Sequence, residues 1–340
     1  MIKPERLKRG DTIATISPSW GCAGAGRVRW QYKLAVSRLE QLGLNVIAAP
    51  NSMKGTAYLD AHPEKRAEDL MWAFENKGVK AIIANIGGND SARLIPYLDP
   101  EVIKQNPKIL CGYSDVMTLH LYCYRQGLMT FYGDNLLTTI GEAQGWHEYS
   151  KHWFQKALFE ASPLGKITPS EDWSYGRNHH TDPNFVREYI RNDGYMKIQG
   201  KGKVCGHLFG GHGGISEYAP DSGIELRLSD FHNAIFFYED IPEIWSKEYA
   251  EFFFNWLGEN GYLQVLSGIV IGRMRSPEPF EPYAEIIRRV VSEKYKLPDL
   301  PIMYGLNFGH ASPICVLPYG AVAELDVDEL RFEIKESGVI

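Results

Sequence analysis

Three side chains able to do nucleophilic chemistry stand where strands are predicted to end. Ser114 sits on the corner after the apolar run Lys108-Ile109-Leu110-Cys111-Gly112-Tyr113, and a helix-like pattern follows at once. Glu239 ends the run Ala234-Ile235-Phe236-Phe237-Tyr238, and His310 lies in the turn Leu306-Asn307-Phe308-Gly309-His310 after a strand predicted at 301–305. In chain order they read serine, acid, histidine. That is one workable order for a triad in which the imidazole takes the hydroxyl proton and the carboxylate orients the imidazole. Each residue also has a plainer reading. Serine is a favoured helix cap, and Val116 replaces the second glycine of a Gly-x-Ser-x-Gly elbow. An acid at the end of a buried strand marks where the core stops, and a single loop histidine is commonly incidental.

A second feature is the turn Gly87-Gly88-Asn89-Asp90 after the apolar stretch 79–86. Paired glycines let the backbone approach a ligand and expose N–H groups, which would suit an oxyanion; equally, glycines end strands. Neither Gly-x-Gly-x-x-Gly nor Gly-x-x-x-x-Gly-Lys-Ser/Thr occurs, so dinucleotide and nucleoside triphosphate binding have no motif to support them. His207 and His212 are five apart, a spacing that matches no helical zinc pair, and no metal site or cofactor is expected. Cys22, Cys111, Cys123, Cys205 and Cys315 are odd in number and widely spaced, which argues for reduced thiols and against a disulfide framework.

The elements that must position these residues alternate. Strands are predicted at 11–17, 45–49, 79–86, 108–113 and near 129–132, and amphipathic helices at 27–42, from 63 to about 75, behind Ser114, and at 146–161. Such β-α units build a parallel sheet whose ligands collect at the carboxyl ends of the strands, where Pro18-Ser19, Gly87-Gly88 and Ser114 would meet. From 163 to 202 the chain turns polar and irregular, with Trp173 and Tyr175 as aromatic faces, and reads as a linker and substrate loop. Strands at 204–214, 234–238, 266–272 and 301–305 and helices at 248–257 and 283–294 then form a second α/β unit. The expected organisation is 1–162, 163–202 and 203–340.

A chain of 340 residues with 44% hydrophobic content has ample core for two domains. Its net charge of -6 gives no electrostatic reason to bind nucleic acid or an anionic membrane. The first residues lack the apolar core of a secretory signal, and no stretch is long and apolar enough to span a bilayer, so a cytoplasmic protein acting on a small or peptide-like ligand is expected.

Together with Lys3-Pro4, Gly10-Asp11, Ser17-Pro18-Ser19, Gly112-Tyr113-Ser114-Asp115-Val116, Tyr238-Glu239-Asp240 and Leu317-Pro318-Tyr319-Gly320, these motifs resemble the LD-carboxypeptidase family of serine peptidases over nearly the whole chain. Within it, the Gly309-His310-Ala311-Ser312-Pro313 stretch is most like the microcin C self-immunity branch. The resemblance implies an N-terminal nucleotide-binding-like α/β domain and a smaller swivelling C-terminal α/β domain. It makes Ser114 the nucleophile, His310 the base and Glu239 its orienting acid, and it places the oxyanion hole on the N–H groups of Gly88 and Asp115. Asn89 and Trp173 become substrate-binding residues, with Trp173 stacking on the base of an aminoacyl-nucleotide. It further implies a homodimer that uses no cofactor. The alternative within the family is release of D-alanine from murein tetrapeptide, and outside it a non-catalytic α/β ligand-binding protein.

Overall fold

The computed structural model describes residues 1–176, 180–217 and 223–340. Its first sheet is built from β1 (Thr12–Ile16), β2 (Asn45–Ala48), β3 (Val79–Ala84), β4 (Ile109–Gly112) and β5 (Thr130–Tyr132). These strands are parallel, in the order β2-β1-β3-β4-β5. β4 and β5 are buried throughout and β3 all but throughout, as the continuous apolar character of parallel strands requires. The helices between them are amphipathic: Pro63–Glu75 opens on a proline and buries Ala67, Leu70, Ala73 and Phe74. Because β2 lies to one side of β1 and β3 to the other, the loops leaving β1 and β3 part at the carboxyl edge and open a crevice. That crevice receives 17–20, 87–90 and Ser114.

The segment 163–202, expected to be irregular throughout, carries β6 (Gly165–Ile167), the ribbon of β7 (Asp172–Trp173) and β8 (Ile190–Arg191), and β9 (Met196–Gln199). β6 and β9 are short and half polar, and they become strands only because a second sheet offers them its two edges. That sheet adds β10 (Lys203–His212), β11 (Ala234–Glu239), β12 (Gly268–Gly272) and β13 (Ile302–Leu306), all parallel. After β13 the chain forms β14 (Leu317–Tyr319), β15 (Val322–Asp326) and β16 (Arg331–Ile334), and the sheet order is β6-β16-β15-β10-β11-β12-β13-β9. β14 does not stay with its neighbours; it pairs antiparallel with β5 of the first sheet. Positions 177–179, inside the expected substrate loop, lie outside the described residues.

The two sheets meet closely beside the helix Met117–Arg125. A Cβ on Gly211 of β10 would stand 2.5 Å from Met117 Sδ, and Phe237 of β11 packs on Tyr132 of β5 at 5.4 Å. Arg125 forms a bidentate pair with Asp230, Nη2 to Oδ2 being 2.7 Å. Among the described residues no helix is long and apolar enough to cross a membrane.

Asp134, just past β5, is fully buried, and Trp146 Nε1 donates to it at 3.2 Å. Burial pushes its carboxyl from an ordinary 3.8 up to about 7. The folded value lies above the unfolded one, so ionisation costs stability: the cost appears as pH rises past 3.8 and is complete above about 7. Asp134→Asn keeps an acceptor for Trp146 and is expected to stabilise the protein at pH 8 by on the order of 1–3 kcal/mol. Urea unfolding at pH 8 and pH 4 measures this, and an equal effect at both pH values would contradict it.

Candidate active site

Ser114 leaves β4 with φ 65, a left-handed conformation that costs a non-glycine residue about 1–3 kcal/mol. Its surroundings enforce it. The Asn135 side chain pairs with both backbone groups of Tyr113, accepting from N at 3.3 Å and donating to O at 3.4 Å. Below, His120 Nε2 donates to the Gly112 carbonyl at 2.9 Å, and its Nδ1 lies 2.9 Å from Thr130 Oγ1. Burial holds His120 down to about 4, so it is a neutral structural imidazole. The strained corner turns Ser114 Oγ away from a capping role and into a cleft.

There it meets His310, whose Nε2 lies 3.0 Å from Oγ, while Nδ1 lies 2.7 Å from Glu239 Oε2. The His310 backbone N–H also donates to Oε2, at 3.2 Å. Glu239 is 0% exposed. Burial opposes its charge, yet the adjoining His310, His212 and Tyr132 hydroxyl outweigh it and lower the carboxyl to about 2. An ionised carboxylate can only accept, so Nδ1 carries the proton and Nε2 is left to accept from the serine. Tyr113 crosses the imidazole edge-on at 5.2 Å and limits its rotation. Gly309 has φ 89, and a Cβ there would stand 2.4 Å from Glu239 Cγ, so only glycine lets this turn close on the acid.

The glycine turn passes beside the serine. A Cβ on Gly87 would stand 3.1 Å from Ser114 Oγ and 3.3 Å from Asp115 N, and one on Gly88 only 2.1 Å from Ser19 Oγ. The Asp115 carboxylate ties the two segments, accepting from the N–H groups of Asp90 (3.0 Å) and Ser91 (2.8 Å). Arg66, wholly buried, clamps the other side: it donates to the carbonyls of Pro18 and Ser19 at 3.1 Å and to both Asp90 oxygens at 2.8 and 2.9 Å. Burial works against the Asp90 charge, but Arg66 prevails and holds it below the usual carboxylate range. Nothing in the sequence pointed to Arg66, Asn135 or Tyr132.

These groups open into a cleft of about 680 Å³ whose lining includes Gly88, Asn89, Ser114, Asp115, His310 and Trp20. The aromatic residues do not sit as expected. Trp173 is 8% exposed, carries the Arg273 guanidinium 4.8 Å from its ring centroid, and does not line the cleft. Pairing of β7 with β8, and of Ser174 with Ser312 next to His310, turns its ring inward. Trp20, 38% exposed, presents an indole to the cleft instead. His207 stacks on Tyr124 and its Nε2 faces the Asp230 carbonyl at 3.0 Å, away from His212, which lies beside His310. Among the described residues no group of three or more His, Cys, Asp or Glu side chains could hold a metal ion.

Residues 13–133 match the LD-carboxypeptidase N-terminal domain and 206–325 the LD-carboxypeptidase C-terminal domain. A relative from Treponema pallidum, named as a carboxypeptidase, is 30% identical over 96% of this chain and 93% of its own. The microcin C7 self-immunity protein MccF of Escherichia coli is 27% identical over 97% of this chain and 94% of its own. Its structure in complex with aspartyl sulfamoyl adenosine has a TM-score of 0.85 at 25% identity and covers both chains fully. An MccF-like protein from Streptococcus pneumoniae in complex with AMP gives a TM-score of 0.86 at 29% identity, covering 96% of this chain and 99% of that one.

Removing Arg66 would leave Asp90 without its main partner. Arg66→Met is expected to destabilise the fold by on the order of 3 kcal/mol, the low end for a broken buried pair because Asp90 is partly exposed. Denaturant unfolding measures it, and a loss within about 0.5 kcal/mol would show that the clamp is dispensable.

Proposed function

The chain belongs to the LD-carboxypeptidase family, and on that footing we propose that it is a serine hydrolase that cleaves the amide bond of a microcin C-like aminoacyl-nucleotide through an acyl-enzyme. The observation that carries this is the hydrogen-bonded chain from Ser114 Oγ through His310 to the ionised Glu239. In this reading residues 1–162 bring the nucleophile, 203–340 bring base and acid, and 163–202 supplies the substrate loop. The family resemblance extends the proposal to a cytoplasmic homodimer.

The reaction follows from the residues. As Oγ bonds the carbonyl carbon, its proton passes to His310 Nε2, and Glu239 stabilises the imidazolium. In this reading the oxyanion accepts from the N–H groups of Gly88, on the glycine turn whose Gly87 passes beside Oγ, and of Asp115 on the elbow. Collapse breaks the C–N bond, and His310 returns its proton to the leaving nitrogen. Water, deprotonated in turn by His310, then attacks the ester and frees Ser114.

Asn89, exposed on the rim, and Trp20 supply contacts to the nucleotide portion, Trp20 taking the stacking role that Trp173 is too buried to fill. Arg275 also lines the cleft, 3.1 Å from the half-exposed carboxylate of Glu243, and a substrate carboxylate would exchange for Glu243 there. The relatives that bind AMP and aspartyl sulfamoyl adenosine support the nucleotide reading. The family's description as LD-carboxypeptidase, with a relative named as a murein tetrapeptide carboxypeptidase, supports release of D-alanine from murein tetrapeptide as the second reading.

Ser114→Ala and His310→Ala are each expected to abolish nearly all hydrolysis of aspartyl sulfamoyl adenosine without unfolding the protein, whereas Glu239→Gln retains more. Full turnover by Ser114→Ala on both this compound and an L,D-tetrapeptide would refute the mechanism. Trp20→Ala is expected to weaken nucleotide substrates about tenfold to a hundredfold, from a stacking loss of roughly 1–3 kcal/mol, and to leave the tetrapeptide unaffected. Equal losses on both would make Trp20 a packing residue.

A further inference from the structure

Tyr132 ends β5 in the first sheet and is fully buried. Its hydroxyl is the one place among the described contacts where the acid of the second sheet and the backbone of the nucleophile are joined by a single group. It donates to Glu239 Oε1 at 2.6 Å and accepts from the Ser114 N–H at 3.3 Å. The ring is held rigidly for this by Phe237 at 5.4 Å, His120 at 5.9 Å and Tyr113 at 6.4 Å.

Resting on the hydrolase reading above, we propose that Tyr132 is a positioning residue that governs how strongly Glu239 acts on His310 and how the oxyanion site is composed. The argument has three parts. A carboxylate has two oxygens and rotates about its last bond; with Oε1 anchored by a phenol, Oε2 stays in line with His310 Nδ1. A donor on Oε1 also draws charge from the carboxylate, so Tyr132 sets how much of that charge Oε2 presents to the imidazole. Finally, because the Ser114 N–H is already spent on the Tyr132 oxygen, the oxyanion must be met by other N–H groups, drawn from the elbow at Asp115 and from the glycine turn, whose Gly87 passes beside Oγ. The phenol is suited to this because burial, with Glu239 beside it, raises it well above its ordinary value and keeps it a donor.

The test measures nucleophile activation directly, as the second-order rate at which a fluorophosphonate modifies Ser114 across pH, with Ser114→Ala as the blank. Tyr132→Phe is expected to slow modification about tenfold on the plateau and to move the acidic limb upward by about half a pH unit, the linkage expected from one lost hydrogen bond. In a Glu239→Gln background the same substitution is expected to change the rate less than twofold, because Tyr132 acts through Glu239. A rate and limb unchanged in Tyr132→Phe, or an equal loss in both backgrounds, overturns the proposal. A ring-fluorinated tyrosine at 132, a stronger donor of the same shape, covers a Phe variant that fails to fold: it is expected to move the limb downward, and a static limb counts against the proposal. Proton NMR of the downfield His310 Nδ1–H reads the same coupling without any reaction. If Ser114 proves unreactive while that resonance still shifts in Tyr132→Phe, the hydrolase reading fails and the positioning role stands; if Ser114 reacts and the resonance is static, the reverse holds.

Discussion

A negative charge that has no solvent determines most of this site. Glu239 is completely buried at the end of a parallel strand, and an isolated carboxylate there would be driven to protonate. It remains ionised because donors surround it: the imidazole and backbone N–H of His310 on one oxygen and the Tyr132 hydroxyl on the other. Those donors come from both sheets, so both oxygens of the buried charge are paired only when the two halves of the chain are assembled. The ionised acid then dictates the tautomer of His310, and through it the free lone pair facing Ser114.

Close approach of backbone to side chain is the second constraint. Gly309 folds directly over the Glu239 side chain, Gly272 leaves room for both Phe308 and Glu239, and Gly87 passes within contact of Ser114. A methyl group at any of these places would crowd Ser114 or Glu239. The strain that Ser114 carries at φ 65 is offset by the bonds made around it, from Asn135 on Tyr113 and from His120 on Gly112. The clamp of Arg66 on Asp90 and the Ser19 loop fixes the glycine turn from its far side.

Histidines near the centre differ in what they face and in how burial treats them. His120 and His212 are both lowered to about 4 by burial, so near neutral pH neither carries a charge that would oppose protonation of His310. His212 stands beside His310, with ring centroids 5.5 Å apart, and His310 alone of the three faces the serine. The parallel registry of β10 and β11, which places His212 level with Glu239, makes this crowding unavoidable and its neutrality useful.

The sequence by itself determined the local features: where apolar runs become strands, where three- and four-residue spacing becomes a helix, and which strand ends bear serine, acid, histidine and paired glycines. These depend on periodicity and on residues adjacent in the chain, so a linear reading reaches them. It could also name a tryptophan in the intervening loop, but not say which way the ring would turn; the pairing of β7 with β8 buried Trp173, while Trp20, in a loop after β1, was left facing the cleft. Likewise β6 and β9 have too little pattern of their own and take strand form from the edges they meet, and β14 leaves its sequence neighbours for the first sheet. Ser114 and His310 lie 196 positions apart. Whether their atoms touch, and whether Tyr132, Asn135 and Arg66 support the contact, depends on sheet register and loop closure across the whole chain, and only the tertiary structure decides such non-local distances.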